Sequence, residues 1–439
     1  MKIAFIAMSG IRVCNNELLE VGLSVPGFVE RKKTIASLPS LGLLTLAGMT
    51  PSHHKLSYME VDELKDFDFS NIDFDLAAIS TFSAQVYEAY ELADKLREAG
   101  VTVVMGGPHV SSLPDEAILH CNSVVIGEGE CSWLKLLDDA ETNRLKKFYG
   151  SLEEEFDLAQ SPMPAFELLD ISKYNRLTVQ TARGCPHFCS FCASSKLITR
   201  KYKQKPVEKV LAEIDRIKTV WKHPFIEFAD DNSIVDKKYW KELLPGLKTR
   251  NIKWFTETDI SVGTDSELLR MMRDSGCYEV LIGLESPLQT GLNGIEMRNN
   301  WKMKQWQHYK KCIENIQSHG IRVNGCFILG LDDQDESIFD RVLEYVIELQ
   351  LFDVQVTILT AFPGTPLYRQ LLKENRIIKD KAWQLCTLFD INIYFKNMTT
   401  EEFDNGFKKM VHELYGENFT KWRRENFKNK YLKQLEYEK

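Results

Sequence analysis

Two runs of alternating strand-like and helix-like patterns, split by an acidic stretch containing prolines, limit what this chain can fold into. In the first run the strand candidates are "KIAFIAM", "KLSYMEVD", "LAAISTF", "VTVVMGG" and "SVVIGEG". Between the third and fourth lies "QVYEAYELADKLREAG", whose apolar positions recur at helical spacing and which stops on Gly100. Continuous apolar strands alternating with helices call for a parallel sheet covered on both faces, so residues 1–142 read as a doubly wound, Rossmann-like α/β domain. Ligands of such sheets sit beyond the carboxyl ends of the strands. Those ends carry Ser80 and Thr81, Gly106 and Gly107, and Gly127 to Gly129.

Residues 143–177 break the pattern and read as a linker, with Pro162 and Pro164 in an acidic context. The alternation then resumes over 178–368 with strands "RLTVQTA", "FIEFADD", "KWFTETD", "YEVLIGLES", "IRVNGCFILG" and "DVQVTILTAF". Right-handed crossovers curl six such units into a partial barrel, short of the usual eight, with chemistry expected at the carboxyl ends of its strands. The carboxylates there are Asp230, Asp231, Glu257, Asp259 and Glu285. Residues 369–439 are expected to form a helical extension, and its basic stretch "KWRRENFKNKYLK" reads as a solvated terminal helix.

The net charge of −8 argues against a general nucleic-acid binder. Neither a signal-peptide architecture nor a membrane-length apolar run is visible, so the cytoplasm is the expected location. Thiols stay reduced there, which disfavours disulfides among the ten cysteines.

Three of those thiols crowd into "TARGCPHFCSFCASS", placing Cys185, Cys189 and Cys192 just after the first barrel strand. Structural zinc sites use four ligands in two pairs, and no second pair completes one here. A three-thiolate site leaves one iron of a [4Fe-4S] cluster without a protein ligand, and that iron can bind substrate or cofactor. Cys277, Cys312, Cys326 and Cys386 read as small buried hydrophobes.

"RGCPHFCSFC" followed by six βα units resembles the radical S-adenosylmethionine (SAM) superfamily. "VVMGGPHVSSLPDEAI", "VVIGEGE", "GLESP", "GCFILGLD" and "FPGTPLY" extend the resemblance to the subgroup with a cobalamin-binding Rossmann domain, on the branch containing hopanoid methylases. The resemblance implies that Cys185, Cys189 and Cys192 hold the cluster, and that SAM chelates the open iron and is cleaved to a 5′-deoxyadenosyl radical. It implies SAM contacts from Phe191, Asp230, Glu257 and Glu285, although the Gly-Gly-Glu-like segment of the family is replaced here by one carrying Asp230 and Asp231. It also implies a cobalamin pocket bordered by Ser80, Thr81, Gly106, Gly107, Pro108, His109, Gly127 and Glu128. The region "MSGIRVCNNELLEVG" lacks the cobalt-ligating histidine of many such domains; His53 and His54 lie elsewhere and read as surface residues.

The expected reaction is methylation of an unactivated carbon of a small or lipid-like substrate, driven by a donor such as flavodoxin or ferredoxin. A radical cyclase, rearrangement or oxidation enzyme is the alternative, and a non-catalytic iron–sulfur or cobalamin-binding protein is the rival from another class. A tRNA methylthiotransferase reading would need a second cluster from Cys14, Cys121 and Cys131, whose spacing does not suit one.

Overall fold

A computed structural model describes residues 1–9, 12–20, 38–194, 197–199 and 201–433. Part of the loop after the first strand, and the last residues of the basic tail, lie outside the described residues. The first run folds into a six-stranded sheet of β1 (Lys2–Met8), β2 (Lys55–Val61), β3 (Leu76–Ser80), β4 (Thr102–Gly106), β5 (Ser123–Val125) and β6 (Phe148–Tyr149). Their order is β2-β1-β3-β4-β5-β6, with every pair parallel. Both faces are covered. Ile6, Ile79 and Met105 pack under the helix Val86–Glu98, while Phe5, Ala78 and Val104 pack with Trp133 and Leu136 on the other side. The sixth strand falls inside the segment expected to be a linker, because residues 148 and 149 pair with β5.

The second run gives β7 (Leu177–Val179), β8 (Phe225–Phe228), β9 (Lys253–Thr258), β10 (Cys277–Glu285), β11 (Arg322–Leu329) and β12 (Asp353–Ile358). They pair in chain order, all parallel, and β12 does not close onto β7. This is the open partial barrel expected from six units. Residues alternate between its two faces. Ile226, Phe228, Trp254, Val280, Ile282, Val354 and Val356 point outward and are buried in one large core. The set between them, Thr178, Glu227, Glu257, Glu279, Asn324 and Gln355, is mostly polar and points into the lumen.

The C-terminal region departs from expectation twice. Residues 374–399 are largely irregular rather than helical, with an antiparallel bridge between Ile377 and Ile393. They strap the barrel to the first domain: Asp390 accepts the N–H groups of Cys14 (2.9 Å) and Asn15 (3.1 Å), and Trp383 Nε1 donates to Glu116 (3.1 Å). The basic terminal stretch is not simply solvated either. Arg423 is 1% exposed, and it and Arg424 face Asp353, the first residue of β12, at 3.5 and 3.3 Å. Phe427 stacks edge-on against Phe352, so the helix Glu417–Phe427 covers the amino-end floor of the barrel. Basic residues there answer a buried carboxylate, which a charge run read alone does not reveal.

The helix Leu41–Met49 seats the strap 161–165 against the first domain, and Ala165 N–H donates to Leu44 O at 3.0 Å. A Cβ at Gly48 would lie 1.9 Å from the Met163 carbonyl oxygen, whereas one at Gly42 of the same helix would meet nothing within 4 Å. Gly48→Ala is expected to lower the unfolding free energy by about 2–4 kcal/mol in urea titration. Gly42→Ala should leave it unchanged or raise it by less than about 1 kcal/mol. Equal behaviour of the two variants would refute this packing.

Candidate functional site

The cysteine loop begins where Gly184 turns the chain at φ 87°, in a space where a Cβ would sit 2.4 Å from Lys201 O. Only glycine is comfortable in that turn. Asp230 holds the approach to it. The Asp230 carboxylate accepts the N–H groups of Thr181 (2.8 Å) and Ala182 (2.9 Å) and the hydroxyls of Thr181 and Ser233. Asp231 accepts the N–H of Gly184 at 3.2 Å.

The loop is then stapled on two sides. Cys189 bridges Glu296 in antiparallel fashion, with Ser190 N–H on Ile295 O (2.8 Å) and Met297 N–H on Phe188 O (2.9 Å). Leu367 N–H donates to Ser190 O at 3.0 Å from the other side. The Glu296 carboxylate accepts the backbone N–H groups of Phe188, Arg298, Asn299 and Trp301 at 2.8–3.2 Å. Burial opposes ionisation of Glu296, but these four donors outweigh it and hold its carboxyl at about 2.

The three thiols are free and half-buried. Cys185 and Cys189 are pushed up to about 11 and 12, and Cys192 also upward, mainly by burial. Cys185 feels the charge of Cys192, and Cys189 those of Cys192 and Cys185, so the three thiols are neighbours. Among the described residues, the one group of three ligating side chains within 4.8 Å is His53, His54 and Glu141, at the opposite, amino end of the first sheet. There His54 also lies 3.3 Å from the Met1 amine, and the arrangement reads as an ion-pair cluster.

The lumen opens beside the loop. Ala229 and Glu257 are exposed, and Gln180, Leu281, Gly283, Cys326 and Gln355 are half-buried, although all lie on or just beyond paired strands. Such accessibility requires a cavity inside the barrel. The Glu257 carboxylate has no partner among the described residues. Enclosure by the strands, then the charges of Glu227 and Asp231, push it up to about 8, and water in the lumen tempers that shift. Glu285 sits at a bulge in β10 with φ 63° and is 6% exposed. Its carboxylate accepts from Lys302 Nζ at 2.7 Å, and Lys302 also donates to Gly283 O at 2.8 Å. Burial opposes charging of Lys302, but Glu285 and the nearby Cys189 sulfur outweigh it, so the ammonium persists beside the thiols. Phe191 packs with Ile328, Leu359 and Leu367 at the rim.

The carboxyl edge of the first sheet faces this opening. Arg183, two residues before Cys185, bonds Glu128 at 2.9 Å and Glu130 at 2.7 Å, and Lys203 bonds Glu128 at 2.5 Å. Gly364, beyond β12, packs on Ser112 and Leu197. Along that edge Ser80, Gly106, Gly107 and Pro108 are half-buried, and Phe82 is 58% exposed. Four expected pocket residues are committed elsewhere. His109 is 1% exposed, with Nδ1 2.9 Å from Ser83 Oγ and its ring against Trp383. Glu128 is 2% exposed and spent on Arg183, Lys203 and the N–H of Phe156. Gly127 is buried with its N–H on Ser111 Oγ (3.0 Å), and Thr81 is 3% exposed with its hydroxyl on Phe82 O (3.0 Å). Groups from other elements, or the turn itself, claim each of the four. Sequence reasoning also missed Glu296, Lys302 and Phe82. The stretch "IEMRNNWK" carried a signal for the first two, a lone acid before a run of cations close to the cysteine motif in space but not in sequence.

The family model of the Radical SAM superfamily matches residues 179–346. The chain is 28% identical over 358 residues to the bacteriochlorophyllide d C-8(2)-methyltransferase of Chlorobaculum tepidum, covering 79% of this chain and 78% of that protein. It is 25% identical over 363 residues to the hopanoid C-2 methylase of Rhodopseudomonas palustris, covering 79% of this chain and 66% of that protein. The solved structure of the radical S-adenosylmethionine methyltransferase TsrM from Kitasatospora setae, with cobalamin and a [4Fe-4S] cluster bound, superposes with a TM-score of 0.64. It is 13% identical and covers 85% of this chain and 78% of that one, a likeness of fold.

Deeper in the lumen Glu279 is 3% exposed and bonded by Asn324 at 3.4 Å. Burial, then the charge of Asp353, pushes its carboxyl from 4.5 up to about 8. Between those values the folded protein keeps a proton that the unfolded chain has released, so this group makes stability fall as pH rises through that window. Glu279→Gln should flatten the decline between pH 5 and 8 by at most about 1.4 kcal/mol per pH unit. Parallel profiles for the variant and the parent would show that Glu279 is ionised in the fold.

Proposed function

Taking the chain as a member of the radical SAM superfamily, we propose that it is a radical SAM C-methyltransferase using a [4Fe-4S] cluster, SAM and cobalamin on a small or lipid-like substrate. The observation that carries this reading is the apposition of two carboxyl edges. The cysteine loop at the mouth of the barrel is tied by Arg183 to Glu128 and Glu130 at the edge of the first sheet. When bound, a cluster and SAM supply a carbon-centred oxidant for an inert C–H bond, and cobalamin supplies the methyl group.

The chain's own residues supply placement. Cys185, Cys189 and Cys192 would hold the cluster, as neighbouring thiols on one loop stapled by backbone bonds. Lys302 and Glu285 present a fixed positive and negative group beside Cys189, suited to the carboxylate and ammonium of a methionyl moiety. Phe191 offers an apolar rim. Asp230 serves as a positioning residue for the loop, not as a direct contact. On the facing edge, Ser80, Gly106, Gly107 and Pro108 leave room against the exposed Phe82 for a large flat ring, with His109, Thr81, Gly127 and Glu128 supporting that edge from behind. Glu257 faces the open lumen uncommitted and is suited to accept a hydrogen bond from the substrate or a ribose. The strap 374–399 flanks the barrel on the side of the first domain, and the terminal helix packs on its amino-end floor. Among the described residues no helix is long and apolar enough to cross a membrane. The reaction calls for a separate reductant.

Anaerobic reconstitution with iron, sulfide and cobalamin, then incubation with reductant and methyl-labelled SAM, tests the reading. Reductive release of 5′-deoxyadenosine is expected, with label entering a carbon of a hopanoid or tetrapyrrole acceptor. Cys185→Ala, Cys189→Ala or Cys192→Ala should each lower deoxyadenosine release by at least about a hundredfold. Deoxyadenosine without label in any product would favour rearrangement or oxidation. No deoxyadenosine from an intact cluster would favour a non-catalytic iron–sulfur protein.

A further inference from the structure

Resting on the cluster assignment above, we propose that the exposed residues of the segment from Met297 to Lys311 form the docking surface for a small acidic one-electron carrier protein. Between Glu296 and Glu314 the chain holds five Lys and Arg residues and no acid, within a protein of net charge −8. Lys302 turns inward to Glu285. Arg298, Lys304, Lys310 and Lys311 are exposed, and none has a carboxylate partner among the described residues. Arg298 lies 5.2 Å from the ring centroid of Phe188, in the cysteine loop itself.

The place of this surface decides its meaning. Residues 295–297 are hydrogen-bonded directly to residues 188–190, so one backbone pairing separates the exposed face from Cys189. A second tie runs through rings, with His187 4.3 Å from Trp301. Met297, 54% exposed, stands in the middle of the charges as an adaptable apolar contact. A surface depression of about 600 Å³ is lined by Glu296, Met297, Arg298, Asn299, Asn300 and Lys304. Electron transfer weakens steeply with distance, so a carrier must dock where the cluster approaches the surface. Exposed cations with no carboxylate partner provide both steering and a charge match. A reduced carrier docked there would give up one electron and be oxidised by one equivalent, and a cluster held by Cys185, Cys189 and Cys192 would be its acceptor.

The test uses the full-length reconstituted protein and flavodoxin as the acidic probe. Calorimetric titration with oxidised flavodoxin should show binding that weakens with added salt. The Lys304→Glu/Lys310→Glu/Lys311→Glu variant should lower that affinity at least about tenfold. Flavodoxin-driven deoxyadenosine release should fall by a similar factor, while dithionite-driven release stays within about twofold of the parent. Unchanged titration and unchanged flavodoxin-driven rate in the variant would overturn the proposal, as would an equal loss with both reductants. Absence of any dithionite-driven release in the parent would instead count against the radical chemistry, and the titration would still judge the surface.

Discussion

Glu296 gathers four backbone N–H groups, one from Phe188 beside Cys189 and three from the turn just after its own pairing segment, and this makes an irregular loop behave as part of the sheet. A cysteine loop of this kind has few apolar contacts of its own and would otherwise sample many conformations. Fixing it requires satisfied backbone groups on both sides. Asp230 does the same at the entrance, with two N–H groups and two hydroxyls on one carboxylate. The site therefore uses carboxylates as internal caps, in the way a helix uses its N-cap. The sulfurs are placed by these backbone bonds.

The second organising contact joins the domains. Arg183 and Lys203 share Glu128, and Arg183 also takes Glu130, all poorly accessible to water. Burying such charges is unfavourable unless they are fully paired, so the network selects one relative position of the two edges more than it adds stability. Gly364 against Ser112 and the strap from Lys381 to Asp390 act on the same junction. The carboxyl edge of the first sheet is thereby held next to the cysteine loop.

Much of the architecture is legible in the sequence. Strands such as "FIEFADD" and "YEVLIGLES" alternate outward apolar and inward polar residues, and the helices between them are strongly periodic, so six parallel units follow from local pattern alone. The cysteine spacing announced its own chemistry. What stayed hidden depends on long-range pairing. His109 and Glu128 sit at the expected strand ends, but Trp383 and Arg183, far away in sequence, claim them. Lys302 and Glu296 follow a turn whose course no local pattern fixes. The terminal arginines read as solvated because their partner, Asp353, lies 70 residues upstream.

Mössbauer spectroscopy of the iron-57-reconstituted protein tests the central claim, that three thiolates leave one iron open. The account predicts a cube in which about a quarter of the iron changes its spectrum when SAM is added, the rest staying as it was. Four irons that all ignore SAM, or a preparation holding one zinc ion in place of iron, would contradict it.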